Sequence, residues 1–215
     1  MAYKGVIFDL DGTLINTLED LTDSMNYGLA ELGCPHRSAE ECRRMIGDGL
    51  KKYAERALPE DRQHLRGKLI EIMVAHYQQH CLIKTAPYEG MTDVIQQLEA
   101  KGIRMAVLTN KNQKPSEILL KHFWKEGTFD PIFGIVEGRR VKPNPESTLE
   151  ILKQWQLTPS EAIFVGDSEV DIQTAHAAGV TSVGCEWGFR NKEQLLKAGA
   201  KILIREPIQI LAYLD

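Results

Sequence analysis

The chain has 215 residues, 43% hydrophobic and 26% charged, with a formal net charge of −4 at pH 7 and a pI near 5.9. This is ordinary globular composition, long enough to bury the core of one domain or of two unequal ones. It carries no overall basic field to draw nucleic acid or an anionic membrane, and no apolar run long enough to span a bilayer.

Met1-Ala2-Tyr3-Lys4 leads straight into the first predicted strand, which leaves no room for a signal peptide and predicts a cytosolic protein. Val6-Ile7-Phe8 reads as a buried strand, followed at once by Asp9-Leu10-Asp11-Gly12-Thr13-Leu14. Two carboxylates one residue apart repel each other and resist burial unless a cation or a shared proton compensates. They stand at the carboxyl end of the strand, where open α/β sheets gather ligands, so the pair points to a metal, to acid/base chemistry, or to both. A helix cap or turn is the structural alternative.

Thr17 with Asp20 resembles a capping box, and Leu18, Leu21, Met25, Leu29 and Leu32 recur at helical spacing up to Gly33. Ser38 with Glu41 opens a second helix, Gly47-Asp48-Gly49 interrupts it, and Leu50 to Leu58 resumes before Pro59. Leu65, Leu69, Ile72, Met73 and His76 mark one face of a long third helix. Cys34, Cys42, Cys81 and Cys185 lack paired spacing and read as packing residues. His76 and His80 share a helical face without the Glu of a metalloprotease helix, and read as ordinary side chains rather than zinc ligands.

Past a polar break at 84–90 the rhythm changes. Val94, Ile95 and Leu98 fit a helix, and short apolar runs follow at 103–108, 132–136, 162–165, 180–184 and 201–204 with helical patterns between most of them. Such alternation predicts an α/β fold with a doubly wound parallel sheet. The predicted domains are an α/β core from 1–15 and 86–215 and an inserted all-helical cap from 16–85, a lid over the ligand end of the core.

The segments that follow these strands carry the chemistry: Thr109-Asn110-Lys111 after one, Gly166-Asp167-Ser168-Glu169-Val170-Asp171 after another, and Lys142-Pro143 before a helix. Singly, Thr109 could cap a helix, Lys142 could sit in a solvated turn, and Asp167 and Asp171 could decorate a first helical turn. Gathered at one sheet edge they supply carboxylates, a hydroxyl, an amide and an ammonium. Mg²⁺ suits the carboxylates, being a hard ion that accepts oxygen ligands and shares its shell with substrate phosphate. Thr109 and Lys142, with backbone N–H groups at 11–13 and at Asn110, would meet phosphate oxygens, and phosphoryl transfer needs mainly positioning and charge neutralisation.

Asp9-Leu10-Asp11-Gly12-Thr13, Thr109-Asn110, Lys142-Pro143 and Gly166-Asp167-Ser168-Glu169-Val170-Asp171 resemble the four ordered motifs of the haloacid dehalogenase (HAD) superfamily. The helical insertion resembles its C1 cap. Thr109-Asn110-Lys111, the stretch from Arg43 through Gly47-Asp48-Gly49, and Cys185-Glu186-Trp187-Gly188-Phe189 are similar to its phosphoglycolate phosphatase-like branch. The resemblance implies a Rossmann-like core and a Mg²⁺-dependent hydrolase of a small phosphorylated metabolite. Asp9 would be the nucleophile, Asp11 the general acid and base, Thr109 the phosphate holder and Lys142 the charge neutraliser. Asp9, Asp167 and the Asp11 backbone carbonyl would bind the metal, with Asp171 behind them orienting Lys142 or a metal-bound water. Gly12, Asn110 and Arg43 would meet substrate, Arg43 suiting a carboxylate. An acid at position 11 favours phosphate over halide chemistry. A phosphomutase or pyrophosphatase of the same superfamily, and a non-catalytic protein that binds a phosphorylated metabolite, are the alternatives. A monomer or homodimer is expected. The loop Glu137-Gly138-Arg139-Arg140-Val141 departs from the branch pattern.

Overall fold

The computed structural model describes residues 3–214; Met1 and Ala2, where the expected leader-free start begins, lie outside the described residues. Eight strands and nine α-helices alternate in it, joined by short 3₁₀ turns. β1 (Gly5–Phe8) is followed by a two-residue strand, β2 (Ile15–Asn16), and then by four helices, α1 (Leu18–Glu31), α2 (Ala39–Met45), α3 (Leu50–Ala57) and α4 (Arg66–His80). The second half runs β3 (Ala86–Pro87), α5 (Met91–Ala100), β4 (Arg104–Asn112), α6 (Gln113–Phe123), β5 (Ile132–Ile135) and α7 (Glu146–Trp155). It ends with β6 (Ala162–Gly166), α8 (Glu169–Ala178), β7 (Thr181–Cys185), α9 (Lys192–Lys197) and β8 (Ile202–Ile204).

The chain divides into two compact units, Met1–Ile15 with Pro87–Asp215, and Asn16–Ala86. In the first, six parallel strands pair in the order β5-β4-β1-β6-β7-β8, flanked by helices in the Rossmann-like manner. β1 lies at the centre because each of its residues is buried on both faces: Val6, Ile7 and Phe8 have no exposed surface. Ile7, Ala106, Phe133, Ile151, Trp155 and Phe164 share one hydrophobic cluster. Trp155 closes it, its indole N–H donating to the Asp130 carbonyl at 2.9 Å.

Register decides where the chemistry falls. Phe8 pairs with Val107 on one side and with Val165 on the other. Asp9, one residue later, therefore comes level with Leu108 and Gly166, immediately before Thr109 and Asp167. The β4 and β5 ladder shifts between Leu108 and Asn112, so Thr109, Asn110 and Lys111 leave regular pairing where the ligands gather.

In the second unit α1 buries Leu21, Met25 and Leu29, and α4 buries Leu69, Met73 and Tyr77. The expected capping box at Ser38 and Glu41 is present: Ser38 Oγ accepts from Glu41 N at 3.2 Å, and a Glu41 carboxylate oxygen accepts from Ser38 N at 2.8 Å. The one expected at Thr17 and Asp20 is not. Thr17 makes no side-chain capping bond, and Asp20, 3% exposed, instead accepts from Lys84 N, Thr85 N and Thr85 Oγ1 at 2.8–3.1 Å. A buried carboxylate gains more from these donors, brought from 64 residues away, than from the half-solvated start of its own helix. Tyr27 stacks on His76 at 4.3 Å and His76 on His80 at 4.0 Å, beside a cavity of about 590 Å³ within this unit. The thiols of Cys34, Cys42, Cys81 and Cys185 are buried. Among the described residues, no helix is long and apolar enough to cross a membrane.

Candidate active site

The candidate site is assembled at the carboxyl ends of β1, β4 and β6. Asp9 directly follows β1, and its backbone N–H donates to the Val165 carbonyl at 2.9 Å, which ties the residue to the neighbouring strand. The turn after it is tight: Leu14 N donates to Leu10 O at 3.0 Å, and Gly12 N to Ile15 O at 3.0 Å. Gly12 adopts φ +83°, and a β-carbon there would run into the Asp167 carboxylate. The position demands glycine for both reasons.

Lys142 is the electrostatic centre. Its side chain is 2% exposed, and its ammonium lies 2.7 Å from Asp9 Oδ1 and 2.7 Å from Asp171 Oδ1. Burial pulls the Lys142 pKa down, but Asp171 and Asp9 outweigh it and hold it above the ordinary lysine value. Asp9 is pushed up to about 7, chiefly by burial and against the lowering pull of Lys142. Burial, with the charges of Asp171 and Asp9, also raises the Asp167 carboxyl well above its usual range. Three carboxylates and one ammonium leave the cluster short of positive charge, which is the condition that favours a cation.

Asp9, Asp167 and Asp171 each offer an oxygen within 4.8 Å of the others, an arrangement that could hold a metal ion. Asp9 Oδ1 is buried, and although Lys142 lies 2.7 Å away it accepts no hydrogen bond of directed geometry. Asp171, by contrast, is committed: Oδ1 accepts from Lys142, and Oδ2 accepts from Ser168 N at 3.0 Å and Ser168 Oγ at 2.6 Å. Those bonds also cap α8. Asp167 Oδ2 accepts from Phe189 N at 2.6 Å, and Oδ1 accepts from Thr13 Oγ1 at 3.3 Å.

The remaining expected residues fall as follows. Thr109 is buried, and its Oγ1 accepts from Lys111 N at 3.2 Å. Asn110 spends its side-chain amide on the Lys142 backbone: Nδ2 donates to Lys142 O at 3.2 Å, and Oδ1 accepts from Lys142 N at 2.9 Å. It thus braces the lysine backbone. Asp11 pairs with Lys111, whose ammonium lies 3.0 and 3.2 Å from its two carboxylate oxygens. Arg43 stands in the last turn of α2, half-buried, in the helical unit. Arg139 packs its guanidinium 4.0 Å from the Phe133 ring centroid, a structural use, while Arg140 is exposed.

Sequence reasoning gave no role to Lys111, Ser168 or the Glu186–Arg190 segment that follows β7. Trp187 Nε1 donates to Thr13 O at 3.1 Å, and a β-carbon on Gly188 would press on Gly12 O at 2.5 Å and on Asp167. The available signal was position: this segment, too, leaves the carboxyl end of a strand.

The model of the haloacid dehalogenase-like hydrolase family matches residues 6–185. A phosphoglycolate phosphatase of Rhodospirillum rubrum is 34% identical over 209 residues, covering 92% of this chain and 85% of its own. One from Pseudomonas putida is 34% identical over 193 residues, covering 86% and 70%. A crystal structure from Lactobacillus delbrueckii subsp. bulgaricus, provisionally assigned as a phosphoglycolate phosphatase, superposes with a TM-score of 0.93 at 30% identity over the whole of both chains.

Proposed function

Because the chain belongs to the haloacid dehalogenase-like hydrolase family, we propose that it is a phosphatase that hydrolyses a small phosphate monoester through a phosphoryl group carried on Asp9. The observation that carries this reading is the buried Asp9 carboxylate at the end of β1, 2.7 Å from the Lys142 ammonium. Phosphatases of 34% identity support it.

In the first step an Asp9 carboxylate oxygen attacks phosphorus and the ester P–O bond breaks. Asp11 delivers a proton to the departing oxygen. In the second step Asp11, now a carboxylate, takes a proton from water as the water oxygen attacks the phosphorus of the aspartyl-phosphate. Inorganic phosphate leaves and Asp9 is regenerated. Lys142 opposes the charge that builds on the phosphoryl oxygens and restrains Asp9, while Asp171 and Asn110 hold Lys142 at its two ends. The Thr109 hydroxyl donates to the phosphoryl group.

The acid cluster fits a hard divalent cation, with Mg²⁺ the best match to an all-oxygen set. Asp9 Oδ1 stands buried without a directed partner, and glycine at position 12 keeps side-chain bulk away from the Asp167 carboxylate. Asp9, Asp167 and the Asp11 backbone carbonyl would hold the ion, Asp171 being engaged by Lys142 and Ser168. When bound it supplies charge neutralisation between nucleophile and phosphate.

The test is release of p-nitrophenol from p-nitrophenyl phosphate in Mg²⁺ by the wild type and by Asp9→Asn. Turnover is expected in the wild type and its near-complete loss in the folded variant. Metal-dependent turnover that survives the substitution removes Asp9 from the nucleophile's role.

A further inference from the structure

Lys111 holds a position that the reaction as described leaves without a task. Its side chain is 7% exposed, and its ammonium contacts both oxygens of Asp11, at 3.0 and 3.2 Å. Asp11 in turn is 14% exposed, while Asp9 and Asp171 share the Lys142 ammonium. The site thus has two buried ammonium groups: Lys142 against the nucleophile, and Lys111 against the group assigned to the leaving oxygen. The Lys111 backbone N–H also bonds the Thr109 hydroxyl at 3.2 Å, which fixes the lysine to the phosphate-holding segment.

We propose that Lys111 is a specificity-determining residue whose ammonium binds a second anionic group of the substrate, a carboxylate or another phosphate carried near the ester oxygen. The proposal rests on the phosphatase reading and on Asp11 serving the leaving oxygen. For Asp11 to hydrogen-bond that oxygen it must release one carboxylate oxygen from the lysine. An ammonium carries three N–H donors, and the one released turns toward what lies beside Asp11, the substituent on the leaving group. Two hydrogen-bond lengths and the roughly 2.2 Å between the two oxygens of the shared carboxylate separate Nζ from the leaving oxygen, about 8 Å at most. A short linker of one or two carbons spans that gap, so a small phosphorylated acid fits where a neutral alkyl ester leaves the ammonium with half its partner lost. One charge-assisted hydrogen bond in a half-desolvated site corresponds to about tenfold to a hundredfold in affinity.

The experiment compares 2-phosphoglycolate with ethyl phosphate, similar in length but without the second charge, as competitors of p-nitrophenyl phosphate hydrolysis in Mg²⁺. It uses the wild type, Lys111→Met and Lys111→Arg. The wild type should bind 2-phosphoglycolate more tightly. Lys111→Met should raise its inhibition constant at least tenfold while shifting that of ethyl phosphate less than threefold, and Lys111→Arg should keep most of the preference. Equal shifts for both compounds, or a wild type that does not distinguish them, overturn the proposal and leave Lys111 as a support for Asp11 alone. If the wild type cannot hydrolyse the aryl phosphate, the phosphatase reading fails. Calorimetric binding of the same two compounds then still decides the role of Lys111, by the same criteria. Should Lys111→Met not fold, Lys111→Gln supplies the uncharged variant.

Discussion

Replacing Lys142 by methionine removes the charge at the centre of the site while keeping most of the buried stem. The ammonium lies 2.7 Å from both Asp9 and Asp171 and is almost wholly buried, so its loss leaves carboxylates facing one another without compensation. Breaking a buried pair from one side costs about 3–5 kcal/mol, a large share of the ~5–15 kcal/mol that typically holds a domain together. The cost depends on pH. Asp9 is already raised to about 7 by burial, and loss of Lys142 removes the influence that most opposes this. A carboxyl raised in the folded state stabilises it below the unfolded pKa and loses that contribution as pH climbs through the folded one. Each further unit of upward shift in Asp9 therefore adds up to ~1.4 kcal/mol to the deficit of the variant at pH 8 relative to pH 5. Urea unfolding of the metal-free proteins at the two pH values measures this. All three tryptophans, Trp124, Trp155 and Trp187, belong to the α/β unit, so their fluorescence reports the unit in question. A deficit below about 1 kcal/mol, or one equal at both pH values, refutes the account of Lys142 as the compensating charge.

The wild-type protein without metal should itself lose thermal stability as pH rises from about 4 to about 7, because Asp9 binds its proton more tightly folded than unfolded. Added Mg²⁺ should raise the melting temperature more at pH 8 than at pH 5, and calorimetry showing the opposite order counts against a carboxylate metal site. Gly188→Ala should press a methyl group against Gly12 O and the Asp167 side chain and raise the Mg²⁺ concentration needed for half-maximal activity by about 10- to 100-fold. An unchanged Mg²⁺ requirement in the folded variant would detach that segment from the site.

The strands were legible because parallel strands buried on both faces must be short apolar runs, and Val6 to Phe8 and Ala162 to Val165 are that and little else. Once the strands are known, a parallel register brings their carboxyl ends together, which is why Asp9, Thr109 and Asp167 could be grouped before any contact was seen. What stayed hidden depends on a partner distant in the chain. A serine or threonine three residues before an acid looks the same whether or not the acid caps. Ser38 and Glu41 close on each other, whereas Asp20 is taken up by Thr85. That the Asn110 side chain also braces the Lys142 backbone could not be read, because only the fold carries Lys142 back across 32 residues to meet it. The Phe189 N–H on Asp167 leaves no mark on residue identity at all, since every residue except proline has that donor. Its trace is indirect: glycine at 188 and at 12, where a β-carbon would occupy the space between the segment and the acid. Residue chemistry thus disclosed the groups that react. The groups that aim them, backbone donors and side chains bonded to backbone, emerge only with the register and the loops.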